Sequence, residues 1–147
     1  MQNETITNRI ASFIEKCHAH DLKVTPQRVA IYRELIQSTQ HPTADRMYQA
    51  IRKTFPNISF DTVNRTLLTF ARIGVVDVVE TFGGPKRFDS DVDDHHHLHC
   101  TACGRIIDFT YEAYANLEIP DSIAGRFTVT GKRVVLRGLC NACSHSR

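Results

Sequence analysis

Residues 59–89 read SFDTVNRTLLTFARIGVVDVVETFGGPKRFD. Ser59 is a good helix N-cap, and Asp61 adds negative charge to the first turn, where the helix dipole favours it. Val63, Leu67, Phe70 and Ala71 then recur at helical spacing, and Gly74 ends the helix. The pattern changes at once: VVDVVETF, then Gly83-Gly84-Pro85, then KRFDS is the signature of a β-hairpin. A helix running into a two-stranded ribbon is the closing half of a winged helix-turn-helix.

The residues upstream supply the other helices. Ile6, Ile10, Phe13, Ile14 and Cys17 share one helical face. Thr25-Pro26 is an N-cap followed by proline at the first helical position, and Val29, Ile31, Tyr32, Leu35 and Ile36 follow as an apolar face. Thr43 caps a third helix with Met47, Tyr48 and Ile51 inward, and Pro56-Asn57 breaks the chain before Ser59. Downstream, FDSDVDD (88–94) is acidic and turn-rich. HHLHC, RIIDFT and KRVVLRGLC are strand candidates, with a short helical piece near 111–117. The expectation is an α+β chain: a winged-helix domain over 1–86, a hinge over 87–94 and a second domain over 95–147.

The chain's 147 residues, 41% hydrophobic and 23% charged, allow one ordinary domain or two small ones and exclude a long multidomain enzyme and a disordered chain. No stretch approaches the ~20 apolar residues of a membrane span, and MQNETITNRIASFIEKC lacks a signal-peptide core, so a complete, cytoplasmic protein is expected. Residues 1–74 carry ten Lys/Arg against six Asp/Glu, while 75–147 carry eight against ten. A basic first half suits a nucleic-acid partner.

Cys100-Thr101-Ala102-Cys103 and Cys140-Asn141-Ala142-Cys143 repeat one spacing across 36 intervening residues. Two residues between ligands let one turn present both thiolates to one ion, and Gly104 permits that turn. Four thiolates make a closed, structural Zn²⁺ site that clamps a whole β unit, for which metal binding supplies folding free energy. Cys17 lies on the first helix's apolar face and belongs to the core.

His95-His96-His97 on a strand alternates faces, so His95 and His97 point one way and can chelate one ion. Asp89 and Asp108 lie in segments expected to neighbour that strand. Such nitrogen and oxygen donors suit Fe²⁺, Mn²⁺, Zn²⁺ or Co²⁺. A solvated polar strand is the competing reading. His96 and His99 are candidate extra contacts.

TPQR (25–28), HPTAD (41–45), SFDTVNRTL (59–67), RFD (87–89), DHHHLHC (94–100) and the two Cys-x-x-Cys pairs occur together in order. In these motifs the chain resembles the ferric uptake regulator family of bacterial metal-dependent repressors over nearly its whole length. The resemblance implies an N-terminal winged-helix DNA-binding domain and a C-terminal α/β dimerisation domain with a zinc-clamped sheet, acting as a homodimer on palindromic double-stranded operators. It places structural zinc on Cys100, Cys103, Cys140 and Cys143, and a regulatory Fe²⁺ or Mn²⁺ on His41, Asp89, His95, His97 and Asp108. Asp89, where iron-sensing relatives commonly carry Glu, implies the peroxide-sensing branch, in which iron-catalysed oxidation strikes His41 or His95. A further metal site of many iron-sensing relatives is incomplete, with Ala115 and Lys132 in its expected positions. A reversible ferrous-iron, zinc or manganese sensor of the same family is the alternative.

The DNA-facing residues implied are Lys23, Arg28, Ser59, Asp61, Thr62, Asn64, Arg65 and Lys86, with Arg87 beside Lys86 on the wing. Asn64 replaces the family's usual Tyr and can still bond adenine bidentately. An enzyme is not expected: no HExxH helix or nucleophile motif supports a zinc hydrolase. No Trp offers a stacking platform for an RNA-binding zinc ribbon. No membrane and no small-molecule substrate beyond metal ion and peroxide is expected.

Overall fold

The computed structural model describes residues 5–38, 40–79, 81 and 83–145. The chain divides into two compact units, Met1–Val92 and Asp93–Arg147.

The first unit is built from α1 (Ile6–Ala19), α2 (Pro26–Gln37), α3 (Ala44–Ile51) and α4 (Phe60–Arg72), followed by β1 (Asp77–Val79) and β2 (Arg87–Asp89). Each helix begins at a hydroxyl cap. Thr5, Thr25, Thr43 and Ser59 accept from the backbone N–H of Asn8, Arg28, Arg46 and Thr62, at 3.1, 3.2, 3.2 and 3.1 Å. Such a cap contributes about 1 kcal/mol. Phe13 stacks on Tyr32 with ring centroids 4.2 Å apart, and Phe70 meets Phe13 edge-on at 5.1 Å. Cys17, Ile31, Leu35, Met47, Ile51, Val63 and Leu67 complete this buried core. Cys17 is therefore a core residue, and burial pushes its thiol above the ordinary value.

β1 and β2 pair antiparallel with Val78 opposite Phe88, and Phe88 plugs the core. Gly74, Gly83 and Gly84 have positive φ, where a side chain is strained. Glu80 and Phe82, in the expected first wing strand, lie outside the described residues. The expected hinge begins too early: Arg87–Asp89 is strand, because Phe88 has apolar core to bury in, and the division of the chain falls after Val92.

The second unit holds β3 (His96–Cys100), β4 (Ile106–Phe109) and β5 (Val135–Gly138) in the order β4-β3-β5. β3 pairs antiparallel with β4 and parallel with β5. Three short helices accompany them: α5 (Glu112–Ala115), α6 (Asp121–Ala124) and α7 (Asn141–His145). Leu98 stands opposite Ile107 on one side and Leu136 on the other, and all three are about two-fifths exposed. Among the described residues no helix is long and apolar enough to cross a membrane.

Candidate metal centres and nucleic-acid interface

Parallel pairing of β3 with β5 sets Cys100 opposite Gly138, so both knuckles emerge at one end of the sheet. Gly104, at φ 77°, donates its N–H to the Cys100 carbonyl at 3.0 Å and closes the first knuckle. The four sulfurs lie within 4.8 Å of one another, with Cys103 Sγ 3.9 Å from Cys140 Sγ. Sulfurs placed ~2.3 Å from a central Zn²⁺ at tetrahedral corners stand about 3.8 Å apart, so the cluster fits zinc. Its electrostatics agree. The backbone N–H groups of Cys103 and Cys140 aimed at its sulfur pull the Cys100 thiol down to about 6. Sharing its proton with the sulfurs of Cys140, Cys100 and Cys103 pushes Cys143 up to about 12. Without a cation the cluster retains protons, and a divalent ion would take their place.

A nitrogen-and-oxygen cluster lies on β3 and β4. His95 Nε2 is 3.0 Å from His97 Nε2, and Asp108 Oδ1 lies 3.7 and 3.3 Å from the two. The β3–β4 register pairs His97 with Asp108. His95 Nδ1 is 2.6 Å from the Asp93 carbonyl oxygen. That carbonyl can accept only from a protonated Nδ1, which leaves Nε2 a lone pair. Two imidazole nitrogens and a carboxylate converge, the donor chemistry of Fe²⁺ or Mn²⁺. In the first unit, His41 Nε2 stands 3.3 Å from Asp89 Oδ2, both side chains more than nine-tenths buried.

The His-rich strand is buried rather than solvated: His95, His96, His97 and His99 are all 7% exposed or less. His96 points away from the pair, as alternation requires. Its Nδ1 accepts from the Val134 backbone N–H at 3.0 Å, and its ring meets Tyr114 edge-on at 5.2 Å. Burial, with neighbouring His95 and Arg133, lowers its pKa. His96 ties β3 to the segment entering β5 and joins no group of candidate ligands among the described residues. His99 likewise joins no group of candidate ligands among the described residues.

A family model of the "Ferric uptake regulator family" matches residues 19–135. The chain belongs to the ferric uptake regulator family. Within this family it is 38% identical, over 140 residues and 95% of each chain, to the peroxide-responsive repressor PerR of Staphylococcus saprophyticus. Among solved structures, it resembles the Helicobacter pylori ferric uptake regulator in fold, at 22% identity and a TM-score of 0.78, over 96% of this chain and 95% of that one. It also resembles PerR from Streptococcus pyogenes, at 27% identity and a TM-score of 0.54, over 92% of each chain.

The DNA-facing candidates of this family member are all displayed on the first unit. Val63, Leu67 and Phe70 turn one face of α4 inward and leave Asp61 and Arg65 exposed, paired at 2.7 Å one turn apart. Thr62 and Asn64 are half-buried. Ser59 is spent partly on its own helix, as N-cap to Thr62. Lys23 and Lys86 are exposed, while the Arg28 guanidinium donates to the Lys23 carbonyl. Arg87 departs from the expected phosphate contact. Its guanidinium donates from Nε to the His41 carbonyl at 2.7 Å and from Nη2 to the Gln40 carbonyl. Basic residues on a wing read as phosphate contacts, and only the long-range fold shows this one turned inward. Lys132 Nζ donates to the Ala115 carbonyl at 2.6 Å. A lysine ammonium thus stands beside Ala115.

Proposed function

We propose that the chain is a metal-dependent, homodimeric transcriptional repressor that binds palindromic operator DNA in the cytoplasm and senses peroxide. The observation that carries this reading is the convergence of His95 Nε2, His97 Nε2 and Asp108 Oδ1. The buried His41–Asp89 pair in the DNA-binding unit supports it. With Cys100, Cys103, Cys140 and Cys143 taken by zinc, His41, Asp89, His95, His97 and Asp108 are the proposed regulatory ligands. A ligand set drawn from both units makes their relative orientation depend on the ion, which biases the conformation that fits two half-sites.

Ferrous iron held by these residues would supply the electron transfer that splits hydrogen peroxide, one peroxide oxygen passing to a ring carbon of a nearby imidazole and the other leaving as water. The protein's own residues direct the damage. His95, with Nδ1 held at the Asp93 carbonyl, presents Nε2, and His41 presents Nε2 beside Asp89. An oxidised imidazole is a poor ligand, so repression ends. No turnover of a substrate is involved. Lys23, Arg28 and Lys86 would hold phosphates, with Ser59, Asp61, Thr62, Asn64 and Arg65 at the operator face of α4. Phosphate contacts make binding fall with salt, whereas Asn64 and Arg65 carry sequence preference. The Leu98, Ile107 and Leu136 row supports pairing with a second copy.

Peptide mass spectrometry of the zinc-loaded protein tests the sensing step. One added oxygen on His41 or His95 is expected after Fe²⁺ and low hydrogen peroxide, and none with Mn²⁺. Unmodified histidines at full iron occupancy would reject peroxide sensing and make the protein a reversible metal sensor. Gel shifts of operator DNA with and without Mn²⁺ then test the repressor.

A further inference from the structure

The RFD motif of β2 does more than supply Asp89. Successive side chains of a strand face opposite ways. Phe88 enters the core at 1% exposure, and Arg87 and Asp89 both turn toward the segment Gln40–Thr43. That segment is bound to β2 at several points. Phe88 N–H donates to the Pro42 carbonyl at 3.0 Å, Thr43 bridges Arg87, and the Arg87 guanidinium spans the carbonyls of Gln40 and His41. Within it, His41 has φ 51°, left-handed backbone that few non-glycine residues adopt. In this conformation His41 Nε2 lies 3.3 Å from Asp89 Oδ2.

We propose that Arg87 is a positioning residue for the regulatory ion: its guanidinium, spanning the carbonyls of Gln40 and His41, holds His41 in the left-handed turn that sets its imidazole beside Asp89. The inference rests on the regulatory reading of His41 and Asp89. Arg87 never touches the ion, yet it sets how tightly a divalent cation is held. The wing strand therefore carries a ligand and, two residues earlier, the side chain that aims that ligand's partner. Lysine cannot substitute fully, because an ammonium is a point charge without the planar fork.

The test uses full-length, zinc-loaded protein and Mn²⁺ as probe. Wild type, Arg87→Lys and Arg87→Gln are titrated by calorimetry, with zinc content and melting temperature measured alongside. Arg87→Gln is expected to lose at least tenfold in Mn²⁺ affinity at unchanged zinc content, with Arg87→Lys in between. In the zinc-loaded proteins before Mn²⁺ is added, histidine-selective NMR is expected to show the His41 ring signals shifted in Arg87→Gln and the His95 and His97 signals unmoved. Wild-type Mn²⁺ affinity in Arg87→Gln overturns the positioning role. Should that variant not fold, Arg87→Lys decides, and wild-type affinity in it overturns the role equally. A wild-type protein that binds no Mn²⁺ beyond its zinc overturns the regulatory reading and the inference with it, which separates the two failures.

Discussion

The two units reach stability by different routes. The first closes on itself: four capped helices surround Phe13, Tyr32 and Phe70, and β2 adds Phe88. The second leaves Leu98, Ile107, Leu136 and Phe127 exposed, the last at 68%, and gathers its four candidate zinc cysteines at one end of its sheet. A sheet of three strands with one open apolar face is marginal alone. The first unit is thus held by burial. The second, on the reading above, depends on an ion and on a second copy.

Removing the ion should break this contrast most sharply. Cys140→Ser, or chelation of the zinc, is expected to abolish the cooperative fold of the second unit while the helical signal of the first survives. Structural zinc binding is worth roughly 10–16 kcal/mol in small domains. Circular dichroism and NMR of both units would show it, and simultaneous unfolding of the first unit would refute the separation. Phe70→Ala is the reverse experiment. Truncating a buried phenylalanine costs roughly 3–5 kcal/mol, so the first unit's denaturation midpoint should fall while zinc content holds. Leu98→Asp probes the open face. It should weaken self-association by ten- to a hundredfold, about 1.4–2.7 kcal/mol, in sedimentation equilibrium; an unchanged dimer would place the interface elsewhere. The smallest effect is Ser59→Ala, which removes the α4 cap at about 1 kcal/mol, read as a modest fall in the first unit's melting temperature.

The same contrast governs how legible the chain was. Local rules decided the first unit. Thr25, Thr43 and Ser59 were recognisable as caps because capping needs only a hydroxyl before an apolar stripe, and each caps the helix expected of it. The cysteine pairs were legible for a similar reason: each knuckle is four residues long and carries its own chemistry. The parity of His95 and His97 followed from strand geometry alone. Long-range features were not legible. That Arg87 turns toward Gln40 and His41 depends on chain 46 and 47 residues away. That the His96 imidazole accepts from the Val134 N–H likewise depends on chain 38 residues away. Helices α6 and α7 have too few residues and no buried side chain to write a periodic pattern.

Parallel pairing of β3 with β5 also has a kinetic consequence. His97 must find Val135, and Cys100 the residues just past Gly138, before four sulfurs exist in one place. At a synthesis rate of roughly 5–20 residues per second, the 36 residues between the knuckles separate their emergence from the ribosome by a few seconds. During that interval a nascent chain can offer zinc only the first pair of thiolates. The first unit, whose helices are local, can already be folded by then. A four-sulfur zinc site can thus close only after both knuckles have emerged, and a chain starved of zinc would carry a formed first unit beside a second that has not folded.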